Sequence, residues 1–221
     1  GRGISLPASS TAAAKMSARV AGAYAAVRKQ FGMQIGKIAG KSHYDPSGAL
    51  TGVTPAPFLF GKATVGGRPI VATADDFTIR GGAADAGIAR KMVQAEQMAH
   101  ELKLPIVKMI DGTGGGGSVK MLEQIGATYI PAVPGWGDVV RNLETVPVVA
   151  LALGPTAGLG AARAVASHYS IMVRGLSQIF AAGPAVVAAM DGAHGTDPRD
   201  KEALGGADIH ASNGVIDDAV A

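Results

Sequence analysis

Ile106-Val107-Lys108-Met109-Ile110-Asp111 runs straight into Gly112-Thr113-Gly114-Gly115-Gly116-Gly117, and the same arrangement returns as Val148-Val149-Ala150-Leu151-Ala152-Leu153 followed by Gly154-Pro155-Thr156-Ala157-Gly158. Each apolar run has the length of a buried strand, and glycine is the strongest local stop signal. Helical stretches are expected after each loop, over residues 118–125 and 159–167. Two strand–glycine–helix units predict α/β layers around a mostly parallel sheet. In such sheets ligands sit beyond the carboxyl ends of the strands, where backbone amides and helix N-termini are free to donate. Glycine lets those amides come close to a bound group. The two loops therefore read as oxyanion-binding, as phosphate-cradling or simply as tight turns. The first lacks the Gly-Lys-Ser/Thr ending of a Walker loop, since Gly117 leads into Ser118-Val119-Lys120, and its dinucleotide-type glycine spacing is weak by itself.

Outward from these units, residues 58–65 and 69–74 are apolar runs separated by Gly66-Gly67, a hairpin signal. A long helical pattern spans residues 84–102, with Ile88, Met92, Ala95 and Ala99 on one face. A helix is also expected over residues 12–31, capped by Ser9, Ser10 or Thr11 and stopped by Gly32. Residues 36–54 read as a connector, 139–143 as helical, 169–173 as a strand and 185–190 as an apolar segment. The expected division is an N-terminal helix with its connector over residues 1–43 and one domain over residues 44–221.

The 221 residues are 48% hydrophobic and 17% charged, so a real core is expected and disorder is not. Thirty-two glycines, without a period, cluster beside apolar runs. The net charge of +3 comes from scattered residues, which argues against nucleic acid and suits an anionic small molecule. With no cysteine and five dispersed histidines, no metal site is expected. The best candidate for a span, residues 146–153, is too short for a bilayer. No secretory signal is read, and a chain starting at Gly1 is expected to be incomplete or processed at its N-terminus.

From about residue 44 onward the chain resembles the N-terminal domain of the carboxyltransferase β subunits of acyl-CoA carboxylases, the propionyl-CoA and methylcrotonyl-CoA group. The stretches that carry the resemblance are Thr54-Pro-Ala-Pro-Phe-Leu-Phe-Gly61, Asp75-Asp-Phe-Thr-Ile-Arg-Gly-Gly82, Asp111 with its glycine loop, Gly154-Pro-Thr-Ala-Gly158, and Lys201-Glu-Ala-Leu-Gly-Gly206 through His210 to Asp217. The resemblance implies a crotonase-like α/β superfold and an acyl-CoA substrate. It further implies carboxybiotin delivered by a biotin carboxylase/biotin carboxyl carrier partner, a homo-oligomer, and a cytoplasmic or mitochondrial-matrix location. Residues 3–40, through Gly3-Ile-Ser-Leu-Pro7 and Arg28 to Gly36, resemble instead a segment of an acyl-CoA dehydrogenase. Family subunits have a second such domain that binds carboxybiotin, so a complete site would need another polypeptide or a further half. The first loop also departs from the family's usual Asp-Ser-Gly-Gly-Ala.

The candidate catalytic residues are the backbone-amide donors Gly114, Gly115 and Gly116, with two register choices among them, and Ala157 and Gly158. They would stabilise an enolate oxygen on the thioester. The candidate substrate-binding residues are Arg80, Gly81, Gly82, Thr156 and Trp136, and Trp136 reads equally as a packing residue. Lys62, Arg90 and Lys91 join Arg80 as possible coenzyme A phosphate partners or as solvated surface. His210 reads as loop-fixing before general base, and Asp75 and Asp76 as positioning the turn at residues 80–82. Ser118 has no hydrolase context. No carboxylate is clearly placed for acid–base work. Two rivals remain: a biotin-independent crotonase-fold acyl-CoA enzyme, or a non-catalytic acyl-CoA-binding or assembly domain.

Overall fold

In the computed structural model of the chain, the described residues are 31–35, 40–79, 82, 86–112, 135–184, 187, 197 and 200–221. In chain order the strands are β1 (Phe31–Ile35), β2 (Gly40–Tyr44), β3 (Leu50–Pro55), β4 (Phe58–Val65), β5 (Arg68–Asp75), β6 (Ile106–Ile110), β7 (Val148–Ala152), β8 (Pro155–Ala157), β9 (Tyr169–Val173), β10 (Gln178–Phe180) and β11 (Asp218–Val220). The helices are α1 (Ala86–Leu102), α2 (Trp136–Thr145), α3 (Leu159–Val165), α4 (Lys201–Gly205) and α5 (Ala207–Ser212).

The main sheet has seven strands in the order β1-β4-β5-β6-β7-β9-β11. From β5 to β11 every pairing is parallel, as expected, while β1, β4 and β5 form an antiparallel end. Gly66 (φ 56°) and Gly67 (φ 78°) make the β4–β5 turn, a left-handed conformation at both central positions that suits a two-residue hairpin. Two small sheets stand apart, β8 with β10 in parallel and β2 with β3 antiparallel.

Period-two alternation sorts the strand residues between the two faces. Val71, Ile106 and Val148 pack with Ala99 of α1 and Val146, while Ile110, Ala150 and Ala152 pack with Ala161 and Ala164 of α3 and Ala207 of α5. These positions share one face, covered by the helices. On the other face Ala63, Ile70, Ala72, Ala74 and Met109 form a separate cluster. Of the face expected for α1, Ala95 and Ala99 are buried and Met92 partly so; the Ile88 side chain lies outside the described set.

Three local expectations change. At Phe31 the chain is a strand, held by antiparallel pairing with β4, and not the end of a helix; residues 12–30 of the expected helix lie outside the described residues. The expected connector contains the β2–β3 ribbon, whose ladder runs across the boundary placed at residues 43 and 44. The second glycine loop is not a plain turn, because residues 155–157 form β8 before α3 begins. The helix expected over 118–125 lies outside the described residues, as does the segment at 185–190 apart from Val187. Among the described residues no helix is long and apolar enough to cross a membrane.

Candidate active site

The parallel strands β6 and β7 end at the same edge of the sheet, beside the end of β5. Leu153 N–H donates to the Ile110 carbonyl at 2.8 Å, which keeps the two exits together for one more residue. Here three glycines from three segments meet. A Cβ on Gly82 (φ 65°) would lie 2.7 Å from the Asp111 carbonyl oxygen and 2.8 Å from the Gly112 Cα. A Cβ on Gly112 would lie 2.8 Å from the Gly82 carbonyl oxygen, and one on Gly160 2.8 Å from the Gly112 carbonyl oxygen. Contacts this short with backbone admit no side chain, so glycine is required for close approach. Gly82, the exit of β6 and the first turn of α3 thus converge.

Asp111 is 6% exposed at this junction. Its carboxylate lies against the Cα of Gly154, where a Cβ would run into it. Its Oδ1 has no hydrogen-bond partner among the described residues. Burial, with Asp75 and then Asp76 nearby, pushes the Asp111 carboxyl up to about 6. Asp75, at the end of β5, is paired: Arg163 Nη1 donates to its two oxygens at 2.9 and 3.0 Å, and the Asp111 N–H reaches Oδ2 at 3.3 Å. The guanidinium lies over the Phe58 ring, 5.2 Å from its centre, within cation–π range. Asp76 shapes the turn, Oδ1 accepting from Thr78 N–H at 3.0 Å and Thr78 Oγ at 2.5 Å.

A second pair lies deeper under α1, with Lys108 Nζ 2.9 Å from Glu96 Oε1. Burial pulls the Lys108 ammonium below its ordinary value, and Glu96 opposes that fall. Asn142 of α2 donates to Glu96 Oε2 at 2.7 Å and to its carbonyl at 2.9 Å. A cavity of about 20 Å³ between these groups is lined by Phe58, Thr73, Met92, Glu96, Trp136 and Arg163, among others. That is room for about one water, not for an acyl chain.

The expected site residues divide unevenly. Gly114, Gly115, Gly116, Arg80, Gly81 and Ser118 lie outside the described residues. Gly82 is at the junction. Thr156 is fully buried, its hydroxyl donating to the Gly154 carbonyl at 3.2 Å. Trp136 opens α2 and lines the small cavity. The amides of Ala157 and Gly158 are both engaged, Ala157 with the Gly112 carbonyl at a long 3.4 Å and Gly158 with the Phe180 carbonyl at 3.1 Å.

Lys91 is not a surface cation: it is buried and donates to the Phe58 carbonyl, while Lys62 and Arg90 are exposed. His210, expected in a loop, lies in α5 and ties that helix to β10, Nε2 donating to the Ile179 carbonyl at 2.9 Å. Sequence reasoning missed Asp111 as a buried carboxylate and Arg163 as its neighbour's partner. The Asp-Gly pair closing an apolar strand was the available signal for the first; nothing local marks the second.

Residues 58–221 match the family model described as the carboxyl transferase domain. The chain is 30% identical over 157 residues to a probable biotin-dependent acyl-coenzyme A carboxylase beta2 subunit of Mycobacterium tuberculosis, covering 71% of this chain and 28% of that one. It is 33% identical over 156 residues to the methylmalonyl-CoA decarboxylase subunit alpha of Propionigenium modestum, covering 69% and 28%. The chain thus spans under a third of the length of these curated relatives. Among solved structures, the geranyl-CoA carboxylase beta subunit of P. aeruginosa aligns over 93% of this chain and 40% of its own, with TM-score 0.64 and 22% identity. The transcarboxylase 12S core, solved with methylmalonyl-coenzyme A and methylmalonic acid, aligns over 90% and 38%, with TM-score 0.68 and 23% identity. At these identities the structural likeness speaks for the fold, which is the crotonase-like α/β superfold of carboxyltransferases. Together with the family match over residues 58–221, it shows that the chain belongs to the carboxyl transferase domain family.

Proposed function

We propose that this chain forms the acyl-CoA-binding part of the carboxyltransferase of a biotin-dependent acyl-CoA carboxylase. The observation that carries the reading is the family match over the segment that builds the three-glycine junction. A flat thioester carbonyl needs backbone brought close to it without side chains between, and the junction has that character. Biotin, carried by a partner subunit, supplies the carboxyl group to the α or vinylogous carbon of the acyl-CoA. This chain's residues would hold the thioester and stabilise the negative charge that develops on its oxygen. The donors are backbone amides of Gly114–Gly116 and of Ala157–Gly158. Of the latter two, the Ala157 N–H has the longer internal bond and is the more readily redirected. Arg80, Gly81, Gly82, Thr156 and Trp136 surround the substrate in this reading. A homo-oligomer with a biotin carboxylase/biotin carboxyl carrier partner, in the cytoplasm or mitochondrial matrix, completes it.

The relatives include decarboxylase as well as carboxylase subunits, so carboxyl transfer between acyl-CoA and biotin is to be assayed in both directions. The complex purified from its native source is weighed intact and assayed with labelled carboxybiotin and a series of acyl-CoA substrates. Biotin-dependent labelling of acyl-CoA is expected. Acyl-CoA turnover that needs no biotin would assign the chain to another crotonase-fold chemistry, and there the buried Asp111 becomes the acid–base candidate. Tight acyl-CoA binding with no turnover in either direction would leave a binding domain.

A further inference from the structure

The helix-covered face of the sheet buries two ion pairs, Lys108 with Glu96 and Asp75 with Arg163. Such pairs are poor stabilisers, because desolvation offsets most of their attraction and apolar residues of similar size often serve as well. What they supply is fixed geometry, and Asp75–Arg163 stands where geometry counts. Asp75 ends β5. Its carboxylate takes Arg163 Nη1 on both oxygens and the backbone N–H of Asp111 on one. Arg163 lies one helical turn after Gly160, on the same side of α3, and Gly160 is the residue pressed against the Gly112 carbonyl. The far side of the guanidinium is restrained by the Phe58 ring, and the Phe58 carbonyl is held in turn by buried Lys91. One pair therefore ties the end of β5 and the exit of β6 to the last turn of α3, whose first turn carries Gly160 into the junction where a Cβ would come within 2.8 Å of backbone.

We propose that Asp75 and Arg163 are positioning residues for the glycine junction: together they hold the Asp111–Gly112 exit at a fixed height against α3. Resting on the carboxyltransferase reading, the pair thereby sets the angle at which backbone amides meet the thioester oxygen. Neither side chain touches substrate in this role. The pair and the three glycines act as one frame, with the ion pair at its back and the backbone contacts at its front.

The test uses the complete enzyme complex carrying Asp75→Asn, Arg163→Met, both together, or Arg163→Lys. Melting temperature, kcat, KM for acyl-CoA and amide hydrogen exchange at Asp111–Gly112 are measured. Each of the first two single changes strands a buried charge or a donor and lowers both melting temperature and kcat. The double variant removes both charges and regains the melting temperature, while kcat stays about 100-fold low, the scale of a misplacement near 1 Å. Its KM changes little, and its Asp111–Gly112 amides exchange faster. Recovery of kcat together with the melting temperature, or unchanged exchange, overturns the proposal. If the double variant does not fold, Arg163→Lys decides, since it keeps the charge but shortens the side chain and removes the planar guanidinium from the Phe58 ring: kcat must fall at near-constant melting temperature, and wild-type kcat overturns the idea. A wild-type complex without carboxyl transfer refutes the underlying reading, and exchange at Asp111–Gly112 then still decides the positioning role.

Discussion

The exits of β6 and β7 are written in the same residues, an apolar strand and then glycine, yet the fold gives them different tasks. At the β6 exit a charged side chain, Asp111, is buried with one oxygen unpartnered among the described residues. At the β7 exit the backbone is closed on itself. Residues 155–157 pair with β10, the amides of Ala157 and Gly158 have acceptors, and Gly158 takes φ 56°, ψ −116°, a conformation open to glycine. One exit is electrostatically unfinished, the other conformationally finished. Glycine serves the first by admitting neighbouring backbone and the second by permitting a bend. That φ and ψ add backbone strain to any bulky residue placed at Gly158.

The comparison breaks hardest at Gly160. Gly160→Val puts a branched side chain against the Gly112 carbonyl, at a Cβ distance of 2.8 Å, and against Thr156 Cγ2 at 3.0 Å. The expected loss is about 4 kcal/mol, high for overpacking because backbone must move; a denaturant midpoint within error of wild type would dissolve the close-packed junction.

Asp111 sharpens the contrast through pH. The folded protein binds this proton more tightly than the unfolded chain does, since the carboxyl rises from an ordinary 3.8 to about 6. Ionising it therefore costs the folded state, and stability contributed below about pH 4 is lost as pH climbs to about 6. The two-unit rise corresponds to about 3 kcal/mol at most. Asp111→Asn is expected to flatten that slope and to be more stable than wild type at pH 7; parallel stability–pH curves would show that the charge is compensated. The smallest effect is expected at the β4–β5 turn, where Gly67 has φ 78° and open space around its Cα. Gly67→Ala meets strain without collision and is expected to cost about 1 kcal/mol by thermal melting. A cost near that of Gly160→Val would erase the distinction between bending and crowding.

What the sequence disclosed follows from what is periodic in it. The strands β5, β6 and β7 are mostly buried, β9 alternates, and α1 shows its apolar face at helical spacing, so each declared itself. The β2–β3 ribbon did not: Tyr44, Leu50 and Val53 are exposed, and a ribbon wet on both faces has no alternation to read. Phe31–Ile35 was hidden by an alanine-rich run before it, and its strand state comes from pairing with β4. Helices α4 and α5 are too short for a period, although Asp200, accepting from Ala203 N–H at 3.0 Å, is a legible cap. At the site, the glycines announced close backbone approach but not which segments approach. Asp111 stood in the sequence only as the last residue of an apolar run, because its burial is created by Asp75 at the end of β5 and Gly154 after β7. Nothing near Arg163 in the sequence marks it, because its partner lies 88 residues away.

That separation bears on how the protein can change over generations. Losing either charge alone leaves the other stranded in the interior, at about 3–5 kcal/mol, a large share of what holds a domain together. Losing both at once need not cost stability, although turnover falls. Positions 75 and 163 therefore form one heritable unit joined across 88 residues of sequence, and lineages that abandon the pair are expected to pass through a compensating change elsewhere or to exchange both residues together.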